Sequence, residues 1–196
     1  MRLFVAILLD DKIRRAVARL QNRLGTKCDR VRWVHPDNIH LTVKFLGEVP
    51  DGDVMSVCEL LTEAGRMATG FDMTIAGCGC FPPEGKVRTI WAGVREPPEA
   101  LTQCVEAVEL AMEVYGIPRE RRPFSAHVTI GRLRGDISAG RIRSTVAADE
   151  FVSKRQRVKS VALMASVLSR KGPTYSVVTR IMLGGTGRME SEEVRR

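Results

Sequence analysis

The stretch Ile39-His40-Leu41-Thr42-Val43-Lys44-Phe45-Leu46-Gly47 alternates apolar and polar residues with a period of two. Successive side chains of a β-strand point to opposite faces, so this spacing predicts a half-buried strand. Leu41, Val43 and Phe45 are expected to face the core, and His40, Thr42 and Lys44 to project together from the other face. The imidazole and hydroxyl would stand about 7 Å apart, two strand rises of roughly 3.3 Å. The pattern returns at His127-Val128-Thr129-Ile130, within a second predicted strand over 124–132. There Val128 and Ile130 point inward, while His127, Thr129 and Gly131 point outward. Strict alternation sends Arg132 to the inner face. The chain has three histidines, and two of them occupy the same four-residue pattern. The third, His35, precedes Pro36 in a predicted turn and reads as a surface residue.

Outward from these strands, residues 2–9 form an apolar, β-rich run. Ile13, Val17, Leu20 and Leu24 then recur at helical spacing, with arginines on the opposite face. A short strand is expected at 31–34, and a second helix opens at Pro50-Asp51-Gly52-Asp53. Strands are predicted at 71–76 and 87–94, and a third helix carries Leu101, Val105, Val108, Met112 and Tyr115. Residues 134–148 read as loop and short helix. Strands at 158–168 and 174–183 flank the turn Arg170-Lys171-Gly172-Pro173. Each half therefore runs strand, helix, motif strand. The expected class is α+β, with two pseudo-symmetric lobes, each an antiparallel sheet backed by helices, and a central cleft between them. Residues 1–183 are read as a single bilobal domain and 184–196 as a disordered polar tail.

The net charge of +8 and pI near 9.7 favour a polyanionic partner. Aromatics make up 5% of the chain, which argues against an extended base-stacking platform. No apolar run approaches the roughly 20 residues needed to span a bilayer. The opening apolar run is followed by Asp10-Asp11 and a basic helical pattern, and reads as a buried strand rather than a leader. A cytoplasmic protein without membrane contact is expected. Cys28, Cys58, Cys78, Cys80 and Cys104 are an odd set in apolar contexts, and Cys78-Gly79-Cys80 has the wrong spacing for a zinc pair. Buried free thiols in a reducing compartment follow.

Several longer segments resemble one family. Trp33-Val34-His35-Pro36-Asp37-Asn38-Ile39-His40-Leu41-Thr42-Val43-Lys44-Phe45-Leu46-Gly47-Glu48-Val49 is similar to the first signature of the two-histidine (2H) phosphoesterases. Phe124-Ser125-Ala126-His127-Val128-Thr129-Ile130-Gly131-Arg132 resembles their second. Arg2-Leu3-Phe4-Val5-Ala6, Trp91-Ala92-Gly93-Val94 and the segment from Leu163 to Tyr175 resemble a first strand, a middle strand and a closing hairpin. The likeness covers nearly all of the chain to about residue 183, and is strongest to the bacterial and archaeal RNA 2′,3′-cyclic phosphodiesterases, formerly called 2′-5′ RNA ligases. Two positions depart from the family pattern: Ala126 stands where proline is usual, and Asp37 where glutamate is commoner.

A cyclic phosphodiester opens when water attacks phosphorus in line with a departing sugar oxygen, which requires a base, an acid and donors to the phosphoryl oxygens. Histidine titrates near neutrality, so one neutral and one protonated imidazole can coexist. His40 and His127 could flank a phosphate, with the Thr42 and Thr129 hydroxyls donating to its non-bridging oxygens. The near-symmetric motifs leave open which histidine is acid and which is base. The resemblance implies His40 as proton donor to the 3′ oxygen and His127 as proton acceptor from water, leaving a 2′-phosphate. Lys44 could add positive charge. Arg132 and Tyr175 are further candidates for substrate binding, and Phe81 could contact a base. No metal or other cofactor is required.

The expected partner is RNA with a 2′,3′-cyclic phosphate end, such as tRNA fragments or nucleotides, met by a monomer. Two alternatives stand beside hydrolysis: 2′-5′ RNA ligation by the reverse chemistry, and a non-catalytic RNA-binding module.

Overall fold

The computed structural model describes residues 1–28, 30–134, 139–169 and 172–184. The expected tail from 185 onward, the residues before the short helix at 135–138, and Arg170 and Lys171 of the predicted turn lie outside the described residues.

Strand β1 (Arg2–Leu8) leads into helix α1 (Asp11–Gly25), whose stripe of Ile13, Val17, Leu20 and Leu24 is buried. Strands β2 (Val31–Trp33) and β3 (His40–Glu48) follow, then helix α2 (Val54–Met67) and the short strand β4 (Phe71–Met73). Strand β5 (Ile75–Phe81) carries Cys78 and Cys80 beside β6 (Thr89–Val94). Helix α3 (Glu99–Tyr115) ends at Gly116, whose φ of 105° is the left-handed conformation that glycine adopts without strain. The rest comprises β7 (His127–Leu133), α4 (Ala139–Ala147), β8 (Gln156–Val158), β9 (Ser160–Ser169) and β10 (Gly172–Met182).

The architecture is mixed helix and antiparallel sheet, in the α+β class the sequence predicts. The strands run in the order β10-β9-β1-β3-β7-β6-β5, with β2 also on β7, and β4 pairs with β8 in a small second sheet. Each half follows strand, helix, motif strand, helix: β1, α1, β3, α2 and then β6, α3, β7, α4. The halves are joined edge to edge in one continuous sheet. Their junction is the antiparallel contact of β3 with β7 at Leu41 and Val128, the residues between His and Thr in each motif. Both are fully buried, as are Ile7, Ile90 and Ile130 around them. At about 25 cal/mol per Å² of apolar surface, burying such side chains stabilises by roughly 1.5–3 kcal/mol each. The junction is therefore held by core packing as well as by its ladder.

Alternation fails just past the threonine of each motif strand, and β3 slips a second time at Leu46. Along β1, Val5 and Ala6 pair with Lys44 and Thr42, so Val43 is an extra residue in β3. Along β6, Ile90 and Trp91 pair with Gly131 and Thr129, so Ile130 is an extra residue in β7. These are β-bulges, and each moves the following side chains to the opposite face. Among the described residues no helix is long and apolar enough to cross a membrane.

Candidate active site

Antiparallel pairing about Leu41 and Val128 sets His40 across from Thr129 and Thr42 across from His127. The two histidines are then diagonal neighbours on one face, with Cα atoms about 7–8 Å apart. All four side chains line a single cavity of about 780 Å³. Its lining holds three histidines and three arginines but neither aspartate nor glutamate. Polyanions are attracted to such a wall, and it offers no carboxylate to join the histidines around a metal. Among the described residues no three His, Cys, Asp or Glu side chains converge in a metal-binding group.

The two imidazoles are oriented alike. His40 Nδ1 lies 2.8 Å from the Asn38 carbonyl, and His127 Nδ1 lies 2.7 Å from the Ser125 carbonyl. A carbonyl oxygen only accepts, so each Nδ1 carries the hydrogen and each Nε2 is left for a substrate. Their surroundings differ. His40 packs against Phe4, with ring centroids 4.9 Å apart, and meets Tyr175 edge-on at 5.2 Å. Burial pushes its pKa below the ordinary value of 6.5, and the charge of Arg132 pushes the same way. The Asn38 hydrogen bond works against both. His127 meets Phe81 edge-on at 5.0 Å. Tyr175 thus lines the cavity and also buttresses His40, while Phe81 does both for His127.

Lys44 does not face the cleft. The bulge at Val43 turns it into the interior, where it is 6% exposed. Its ammonium donates to Glu109 of α3 at 2.5 Å and to the Pro118 carbonyl at 3.0 Å. Phe45, expected in the core, is 72% exposed and lines the cavity instead. The bulge at Ile130 likewise brings Arg132 to the cleft, against strict alternation.

Sequence reasoning also missed Gln21. This buried side chain donates to the Val34 carbonyl at 2.7 Å and to the carbonyl of the bulged Ile130 at 2.9 Å. Gln21 and Glu109 interrupt the apolar stripes of their helices, and that was the available signal. His35 lines the cavity rim, with its ring near Asp37. The described cysteines form no disulfide. Burial raises Cys78 to about 12 and Cys80 and Cys104 to about 11, so they remain protonated thiols.

The sequence and the fold have known relatives. A family model described as LigT like Phosphoesterase matches residues 7–91 and 93–175. A protein of Archaeoglobus fulgidus named RNA 2′,3′-cyclic phosphodiesterase is 34% identical over 89% of this chain and 96% of its own. One of the same name from Methanothermobacter thermautotrophicus is 30% identical over 89% and 95%. Among solved structures, a Thermus thermophilus protein superposes with a TM-score of 0.79 at 26% identity, covering 95% of this chain and all of that one. The E. coli LigT complexed with 3′-AMP gives 0.74 at 28% identity, over 94% and 98%. With paired His-x-Thr-x strands in one cleft and a family match along nearly its whole described length, this chain belongs to the LigT-like phosphoesterases, that is, to the 2H phosphoesterase superfamily.

Proposed function

We propose that this chain hydrolyses RNA 2′,3′-cyclic phosphodiester ends to 2′-phosphates, with no metal taking part. The observation that carries this reading is the crossed arrangement of the motifs, each histidine opposite the other motif's threonine on one carboxylate-free wall. A phosphate between the strands meets a nitrogen on either side and a hydroxyl beside each. The relatives' name, RNA 2′,3′-cyclic phosphodiesterase, supports the same reaction class.

In this mechanism His127 Nε2 takes a proton from water as the oxygen attacks phosphorus. The bond from phosphorus to O3′ breaks, and His40 Nε2 gives its proton to that oxygen. Thr42 and Thr129 donate to the non-bridging oxygens, where negative charge grows. The direction follows the family resemblance. Its consequence is specific: burial lowers the His40 pKa in the free protein, and an arriving phosphate anion raises it again. The acid is thus charged in the complex more than before it. Arg132 adds a cation at the cleft, and Phe45 and Tyr175 offer aromatic faces to a base.

Residues 1–183 act as one bilobal unit in this reading. A monomer suffices, because both motifs come from one sheet. The substrate end belongs to an RNA such as a tRNA fragment, or to a nucleotide, and the buried thiols suit a cytoplasmic setting. The test is incubation with an oligonucleotide bearing a 2′,3′-cyclic phosphate in EDTA, with phosphorus NMR of the product. A 2′-phosphate is expected; absence of opening, or full activity in both His40→Ala and His127→Ala, overturns the proposal.

A further inference from the structure

The cleft carries more cationic surface than one cyclic phosphate uses. Arg32 of β2 pairs with Arg132 of β7, which pairs on its other side with Thr89 of β6. The three residues form a row across three strands, and all three line the cavity. Strand β2 continues the edge of β7 that β3 occupies. His40 lies across from Thr129 and Arg32 across from Arg132, so Arg32 is up to three strand rises, roughly 10 Å, beyond His40. The Arg32 guanidinium also reaches the start of β10, where a Cβ on Gly172 would collide with its Nη2. That glycine, with φ of 127°, leaves room for the side chain at the cavity wall.

We propose that Arg32, beside Arg132, forms a second anion subsite for the phosphate on the 5′ side of the nucleotide whose cyclic phosphate reacts. This rests on the function proposed above. A 2′,3′-cyclic phosphate closes the 3′ end of its chain, so every other phosphate of the substrate lies beyond the 5′ oxygen. The inner phosphate is held by the motifs, and the outer one meets a planar guanidinium suited to bidentate contact. The favoured substrate is then an oligonucleotide or a 5′-phosphorylated nucleotide rather than a bare nucleoside cyclic phosphate.

Three substrates test this: a nucleoside 2′,3′-cyclic phosphate, the same compound with a 5′-phosphate, and a dinucleotide with a cyclic end. A second phosphate is expected to raise kcat/KM about tenfold, as a charge-assisted hydrogen bond would. The gain should shrink as salt is raised. Arg32→Met should abolish it while leaving the bare cyclic phosphate within about twofold, and Arg32→Lys should restore part of it by keeping the charge. Equal rates for all three substrates, a gain that survives Arg32→Met, or a gain confined to the dinucleotide would overturn the subsite.

Binding of unreactive nucleoside 2′-phosphate and 2′,5′-bisphosphate separates this from the reaction itself. Should no cyclic substrate be opened, the proposed function fails. A bisphosphate preference lost in Arg32→Met still upholds the subsite, and no preference overturns it.

Discussion

The two halves of the cleft share a backbone and differ in what they hang on it. Each motif strand presents His, then Thr, then a bulge, and then a residue turned into the cavity. In the first half that residue is Phe45, paired with Phe4; in the second it is Arg132, paired with Thr89. The first motif therefore adds an aromatic side chain to the cavity and the second a cation. The braces behind the bulges match in the same way. Gln21 and Glu109 each sit ten residues after the first residue of α1 and α3, and each holds the opposite half's strand. The repeated order of elements supplies geometry, and the departures from it supply division of labour.

The largest effects are expected at the histidines. His40→Ala and His127→Ala should each lower kcat by about 10²- to 10⁴-fold in single-turnover assays. The double variant should fall little further, because the two act as a unit. Additive losses would show that the halves work separately. Next comes the brace. Lys44→Met leaves the half-buried Glu109 carboxylate without its cation though still bonded to the Glu120 N–H, a change costing about 1–3 kcal/mol, read as a lower urea midpoint with m unchanged.

Neither this pair nor the cavity role of Phe45 was legible in the sequence. Periodicity located His40, Thr42, His127 and Thr129 on one face because all four precede the bulges. It failed at Lys44, Phe45 and Arg132 because all three follow them. Val43 and Ile130 are ordinary strand residues, and nothing local marks either as supernumerary. Pairing with β1 and β6 is what exposes the extra residue, and pairing partners are set by tertiary contact. The order of elements was readable for a related reason: helical and strand periods are properties of short windows. The split of 71–81 into β4 and β5 was not, since it depends on β4 leaving for β8.

A smaller effect tests the division of labour. Phe45→Ala should raise KM about tenfold, the loss of one base stack, with kcat little changed. A comparable change in kcat instead would place Phe45 in the chemistry. The smallest effect concerns charge. Arg132→Met removes a cation that holds His40 down, so the His40 pKa, followed by proton NMR, should rise while remaining below 6.5 because burial is the larger cause. Adding inorganic phosphate to the unaltered protein should shift it upward as well. A downward shift in either experiment would contradict the electrostatic account.

The crossed braces have a consequence for how the chain can be divided. Helix α1 secures the strand that carries His127, and α3 secures the strand that carries His40. Cutting the polypeptide between the halves would hand each fragment a motif whose strut belongs to the other. Neither fragment is a smaller working version of the whole, as a simple tandem repeat would allow.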